Sequence, residues 1–265
     1  MITIKNLNFK YSGTNNYALR NINLEIKEGE LAVIIGSIGS GKSTLAKCIN
    51  GLIPHFVNGI MSGEVEVAGI KTADIDISDI SKIVGMVLEN PLTQLTGYGT
   101  TVEEEIAFGL ENLGLIREEM KNRINSVLKL LDIEKIRYKD PFDISGGQQQ
   151  RVVLASVLAM KPKILVLDDP TSQLDPSGAE EVFEELKKLK GKQTIILITQ
   201  KMNIIRELAS RVIVMSKGKI VKIGKPIEVL LDYKLLKRNN IEVPAETELL
   251  YKMNYNKKIM EMLKV

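Results

Sequence analysis

The chain has 265 residues, 44% hydrophobic and 26% charged, which fits one large globular domain or two small ones with a real core. Its 36 Lys and Arg against 33 Asp and Glu leave a formal charge of +3, too balanced for a nucleic-acid sheath. One cysteine, Cys48, and one histidine, His55, exclude an intrachain disulfide, a cysteine-based zinc site and a two-histidine metal centre.

Met1 to Tyr11 alternates polar and apolar residues and lacks the apolar core of a targeting segment. The longest apolar stretch, Val152 to Met160, is interrupted by Ser156 and falls far short of the roughly 20 residues of a membrane helix. The expected compartment is therefore the cytosol, with any membrane span supplied by another chain.

In chain order, Ile2–Leu7 and Ile22–Ile26 alternate as half-exposed antiparallel strands do. Leu31–Ile35 is a continuous apolar run ending at glycine, the pattern of a buried parallel strand. A helix is expected from Lys42 to before Gly51, with Cys48 on it as a small core hydrophobe, and strands at Glu64–Ala68 and Ile83–Leu88. From Thr101 to about Met160 helix formers dominate. Thr101 is placed to cap a helix whose first turn holds Glu103, Glu104 and Glu105, and a second helix covers Arg117 to Leu131. This block reads as a helical subdomain, about 90–160, inserted in an α/β core. Strands at Ile164–Leu167 and Thr194–Ile198 flank a helix around Ala179–Leu189, the alternation of a parallel sheet. Arg211–Met215 and Lys219–Ile223 form a hairpin about Ser216-Lys217-Gly218, and the last 40 residues read as lysine-rich and helical.

Gly36-Ser37-Ile38-Gly39-Ser40-Gly41-Lys42-Ser43 matches G-x-x-x-x-G-K-[ST] and lies between a buried strand and a helix, as that motif requires. Its glycines let backbone N–H groups turn around phosphates, Lys42 reaches the β and γ phosphates, and Ser43 binds Mg²⁺ at the positive end of a helix. The apolar run Ile164–Leu167 ends in Asp168 and Asp169, delivering carboxylates to a Mg²⁺ beside those phosphates.

Ile144-Ser145-Gly146-Gly147-Gln148-Gln149-Gln150-Arg151, upstream of that strand, resembles the signature of ATP-binding cassette (ABC) ATPases, and Asp168 to Pro176 resembles their carboxylate strand and D-loop, with Asp175 in the latter. The resemblance covers residues 1 to about 224. It implies an α/β P-loop NTPase (RecA-like) core with N-terminal antiparallel strands, an inserted helical subdomain and a short helical extension over 225–265. It implies ATP held by Gly36, Ser37, Ile38, Gly39, Ser40, Gly41, Lys42, Ser43 and Thr44, with Tyr11 stacked on adenine and Mg²⁺ at Ser43, Asp168 and Glu89. Ser145, Gly146, Gly147 and Gln148 would contact the γ-phosphate held by a second cassette, so that two cassettes sandwich two ATPs. Gly51 to Phe56, Glu89-Asn90-Pro91, Val102 to Leu115 and the tail residues Leu235-Leu236 and Ile241 to Pro244 look like the ATPases of energy-coupling factor (ECF) transporters. Those pair with a second ATPase and drive a transmembrane coupling subunit and a small substrate-capturing membrane protein, with vitamins or transition-metal ions as cargo. His55 falls in a loop stretch that this group shares and is read as structural. The location implied is the cytoplasmic face of the membrane, with contact to the transmembrane partner around Leu92–Leu95; nucleic acid is not an expected partner.

Three positions depart from the family pattern. Asp169 stands where a glutamate usually polarises the attacking water, Gln200 where the switch histidine follows the Thr194–Ile198 strand and Thr199, and Glu89 where a glutamine contacts Mg²⁺ and water. Asp169 is one methylene shorter, withdrawing its carboxylate by about 1.5 Å. A misplacement of about 1 Å costs on the order of 10²-fold in rate. Gln200 donates a hydrogen bond but never carries an imidazolium charge. Glu89 adds an anion facing the triphosphate, and Gln94 is the nearest amide that could stand in for the missing glutamine. All three changes fall on the chain's own nucleotide site, while the signature that serves the partner's ATP is intact. The expectation is a weakened site in a heterodimer. The rival readings are neutral drift at tolerant positions with hydrolysis intact, an essentially non-hydrolytic regulatory subunit, and a soluble non-transport ABC ATPase. Against the latter, 265 residues hold neither a long coiled coil nor a second cassette.

Overall fold

The structure, a computed structural model, describes residues 1–253. The chain opens with β1 (Ile2–Tyr11), β2 (Leu19–Ile26) and β3 (Leu31–Ile35), then α1 (Lys42–Ile49) and a short α2 (Leu52–His55). Next come β4 (Gly59–Val67), β5 (Ile70–Lys71), α3 (Ile77–Ile80) and β6 (Val84–Val87). The helical stretch is α4 (Val102–Asn112), α5 (Arg117–Leu130) and α6 (Gly146–Ala159). Then β7 (Ile164–Asp168), α7 (Pro176–Leu189), β8 (Thr194–Ile198), α8 (Met202–Leu208), β9 (Arg211–Ser216) and β10 (Lys219–Gly224) lead to α9 (Pro226–Leu230), α10 (Tyr233–Arg238) and α11 (Ala245–Lys252). The lysine-rich tail beyond Met253, expected to be helical, lies outside the described residues.

Two sheets organise these elements. The first is antiparallel, in the order β2-β1-β4-β5; the second runs β10-β9-β3-β8-β7-β6 and is parallel except for the β9–β10 hairpin. The continuous apolar runs in β3, β7 and β8 follow from burial on both faces. Because strand side chains alternate, Leu31, Val33, Ile35, Leu165, Leu167, Ile195 and Leu197 face a core shared with α4 to α8 and the tail helices. Ala32, Ile34, Ile164, Val166, Ile196 and Ile198 face the other core, shared with α1 and the antiparallel sheet. Leu235, Leu236 and Ile241 join the first core, so α10 and the segment after it are packed onto the α/β unit.

Thr101 caps α4 as expected: its hydroxyl accepts from Glu104 N at 3.3 Å, and Glu104 Oε2 accepts from Thr101 N at 3.1 Å, a reciprocal capping box. Glu105 does more than face the helix dipole. It is 3% exposed and accepts from Thr96 N at 2.8 Å and Thr96 Oγ1 at 2.9 Å, pinning the loop after β6 to α4. Three strands run longer than their sequence expectation: β1 reaches Tyr11 rather than Leu7, β2 begins at Leu19 rather than Ile22, and β4 begins at Gly59 rather than Glu64, where Gly59–Ser62 pairs with the far end of β1 and only Met61 is partly buried.

Leu197 is fully buried at the centre of the parallel sheet. Leu197→Ala is expected to cost roughly 2–5 kcal/mol of unfolding free energy, read as a lower guanidinium midpoint at unchanged slope.

Candidate nucleotide site

The loop 36–43 leaves the end of β3 and enters α1, and two glycines make that path possible. A Cβ on Gly36 would collide with the Met215 carbonyl oxygen of β9. Gly41, the N-cap of α1, has φ +103° and leaves no room for a methyl, which would lie 2.6 Å from the Ala18 carbonyl oxygen. The backbone therefore passes close under the β1–β2 sheet with its amides at the start of α1, a cradle that side chains would fill. Lys42 Nζ donates to the Gly36 and Ser37 carbonyl oxygens at 2.8 and 2.9 Å. Burial lowers the Lys42 pKa, and the carboxylates of Asp168, Asp169 and Glu89 oppose that shift. Ser40 is buried, Ser43 is exposed, and Ile38 is 93% exposed at the tip of the loop. Tyr11 packs edge-on against Phe9, and its hydroxyl lies 2.9 Å from Thr44 Oγ1, tying the end of β1 to α1.

Asp168 is the last residue of β7, 6% exposed and in register with Ile198 of β8. At Asp169 the chain leaves the sheet with φ +46°. Asp is one of the few non-glycine residues found readily in this left-handed region. Its N–H donates to the Ile198 carbonyl at 3.0 Å. Burial raises the Asp169 pKa; Lys201 is the strongest opposing influence, Glu89 and Asp168 add to the rise, and Lys42 opposes it. Asp169 and Gln200 line one cleft, together with Lys201 of the β8–α8 corner and Glu242 of the C-terminal segment. Glu89 is exposed, and its carbonyl accepts from Ser172 Oγ at 2.8 Å. Gln94 takes no part at the cleft: its amide accepts from Leu88 N at 2.5 Å and donates to the Met86 carbonyl at 2.9 Å, bracing the end of β6.

The signature lies elsewhere. Ser145 caps α6, its Oγ accepting from Gln148 N at 3.3 Å while Gln148 Oε1 accepts from Ser145 N at 3.1 Å. Gly146 and Gly147 form the first turn, and Ser145 to Gln148 line a second cleft with Gln173 and Asp175. Asp175 caps α7, accepting from Gly178 N at 3.2 Å. Leu174 borders both clefts. The two remaining single residues are accounted for locally. His55 Nε2 lies 2.8 Å from the Thr72 carbonyl oxygen, and Cys48 is fully buried, its thiol pushed up to about 12 by desolvation.

Sequence reasoning missed Lys201, Thr171 and Glu242. Lys201 directly follows Gln200 and Thr171 lies inside the carboxylate motif, so both were within reach of a sequence reading; only tertiary packing places Glu242. Among the described residues no group of three or more His, Cys, Asp or Glu forms a ready-made metal cage. A Mg²⁺ here would be held by few protein ligands and by phosphate oxygens, the usual arrangement for that ion. Donor loop, ammonium and carboxylates fit a nucleoside triphosphate with a divalent cation. No helix among the described residues is long and apolar enough to cross a membrane.

Comparison with known proteins shows the family. The family model described as ABC transporter matches residues 19–172, and the chain belongs to that family. It is 45% identical over 255 residues to a putative ABC transporter ATP-binding protein of Pyrococcus abyssi, covering 96% of this chain and 90% of that protein. It is 42% identical over 259 residues to the energy-coupling factor transporter ATP-binding protein EcfA1 of Clostridium novyi, again 96% and 90% of the two chains. Among solved structures, cbiO1 of Clostridium perfringens, part of the ABC transporter complex cbiONQ, matches with a TM-score of 0.74 at 32% identity, covering 94% of this chain and 98% of that one. The ABC cassette and its P-loop NTPase core, expected from the motifs, are thus established. Family members bind ATP with Mg²⁺, generally hydrolyse it, work with transmembrane subunits and often dimerise.

Gly41→Ala is expected to weaken binding of a fluorescent ATP analogue by about tenfold or more, with α1 retained by circular dichroism.

Proposed function

We propose that this chain is an ATP-binding and ATP-hydrolysing subunit of an energy-coupling-factor-type importer for a vitamin or a transition-metal ion, with its own nucleotide site weakened. The observation that carries the reading is the separation of the two clefts. Asp169 and Gln200, two of the three residues that depart from the family, line one cleft, and the Asp169 carboxylate acts on Lys42 of the loop, whereas the regular signature lines the other cleft. The likeness to EcfA1 and to cbiO1 supports the importer class. In this reading Gly36 to Thr44 and Tyr11 hold ATP, Ser43, Asp168 and Glu89 hold Mg²⁺, and Asp169 and Gln200 face the attacking water and the γ-phosphate. Ser145 to Gln148 and Asp175 face the nucleotide of a second ATPase, a heterodimer being favoured because the losses are one-sided.

Residues 1–224 form the cassette, about 90–160 its helical subdomain, and 225–265 an extension. The protein sits peripherally on the cytoplasmic face of the membrane, against a transmembrane coupling subunit and a substrate-binding membrane protein. In the contact segment after Glu89, Leu92 is 54% exposed and suits such a partner, whereas Leu95, at 9%, belongs to the core. Closure of the sandwich and its reopening after hydrolysis move the membrane subunits. A second reading, an essentially non-hydrolytic regulatory subunit, draws on the shorter carboxylate of Asp169 and the neutral amide of Gln200 at the catalytic positions.

The test compares single-turnover ATP hydrolysis at this chain's own site, paired with a partner ATPase whose own nucleotide site is inactivated, between the unmodified chain and the Asp169→Glu/Gln200→His variant. The double variant is expected to be faster by on the order of 10²-fold. Equal rates would overturn the weakened site, and no hydrolysis even in the double variant would favour the regulatory reading.

A further inference from the structure

Lys201 has no place in the roles above, yet it occupies the cleft of Asp169 and Gln200. It is the N-cap residue of α8, and its backbone N–H donates to Thr199 Oγ1 at 3.2 Å, which fixes the corner after β8. From there its ammonium donates to Thr171 Oγ1 at 3.0 Å and lies 5.7 Å from the centre of the Phe183 ring, a second attraction for a cation. Thr171 is 1% exposed and two residues beyond Asp169. The backbone between them is a tight turn: Ser172 N donates to the Asp169 carbonyl at 3.1 Å, and Leu174 N to the Thr171 carbonyl at 3.3 Å. The same turn reaches Glu89 through Ser172 Oγ. One ammonium therefore fastens the β8–α8 corner to the turn that carries Asp169 and, through it, to the segment after β6.

We infer that Lys201 is a positioning residue for Asp169, holding the turn through Thr171 and supplying there the positive charge that Gln200 lacks. The inference rests on the proposed reading of Asp169 as the group that faces the attacking water. The half-buried setting of Lys201 keeps its charge effective, since screening is weak away from bulk solvent. Glu242 also lines the cleft but is exposed, so solvent screens it and it does not cancel the ammonium.

The experiment measures kcat and the KM for ATP at this chain's own site, in the complex with a partner ATPase whose own nucleotide site is inactivated, for Lys201→Ala and Lys201→Arg, alone and in an Asp169→Asn background. Lys201→Ala is expected to lower kcat about tenfold, Lys201→Arg to restore most of it, and Lys201→Ala to add nothing once Asp169 is Asn, the signature of two residues acting as one unit. KM is expected to stay within about twofold. An unchanged kcat, a loss confined to KM, or an equal further loss in the Asp169→Asn background would overturn the inference. Hydrogen exchange of the peptide covering 169–175 gives a readout free of activity. It is expected to quicken in Lys201→Ala and return in Lys201→Arg, and unchanged exchange overturns the inference. If the unmodified complex fails to hydrolyse ATP, the functional reading falls while the exchange measurement still decides the role of Lys201.

Discussion

A half-buried ammonium facing three carboxylates sets the terms for this site. Burial lowers the Lys42 pKa, and the carboxylates of Asp168, Asp169 and Glu89 oppose that shift. The arrangement exists because β3, β8, β7 and β6 are parallel neighbours whose carboxyl ends lie together. The loop 36–43 follows β3, Gln200 follows β8, Asp168 ends β7 and Glu89 follows β6. In open α/β sheets this edge is where ligands bind. The carboxylates outnumber the cations Lys42 and Lys201, so a triphosphate entering here meets net negative charge beyond the loop. A divalent cation, which Asp168 would help to hold, would supply the compensating positive charge.

Binding and hydrolysis make different demands on the same edge. Binding needs the backbone path of the loop, which Gly36 and Gly41 secure by their close approach to Met215 and Ala18. Hydrolysis needs a carboxylate and a cation at defined positions near the γ-phosphate. Asp169 is short, its backbone is left-handed, and the switch position holds a neutral amide. In the proposed reading the binding apparatus follows the family and the hydrolytic apparatus departs from it, a division that would suit two cassettes with unequal sites. The signature cleft, with Ser145 and Asp175 each capping a helix, shows no such departure.

Legibility in the sequence followed the range of the forces. The β3–loop–α1 unit, the carboxylate end of β7, the Thr101 cap and the β9–β10 hairpin are set by neighbouring residues and a period, and all were readable. The start of β4 was not, because Gly59–Ser62 is held by pairing with a distant strand and only Met61 of the stretch is partly buried. Glu105 was placed in its helix turn, but its grip on Thr96 needed the loop to fold back. Gln94 had the chemistry of the missing glutamine, and the structure shows its amide tied to the backbone at the end of β6. Lys201 stood beside a position already singled out, yet its reach to Thr171 depends on the pairing of β7 with β8. Glu242 enters the cleft only because Ile241 and the residues before it pack into the core.

The central claim is that this chain holds ATP well and splits it slowly while its signature serves a partner. The most direct measurement labels each chain of the two-ATPase complex with a photo-crosslinking ATP analogue after one round of hydrolysis and identifies the nucleotide bound to each. The account predicts intact triphosphate on this chain and diphosphate on its partner. Diphosphate in equal amounts on both chains would contradict it.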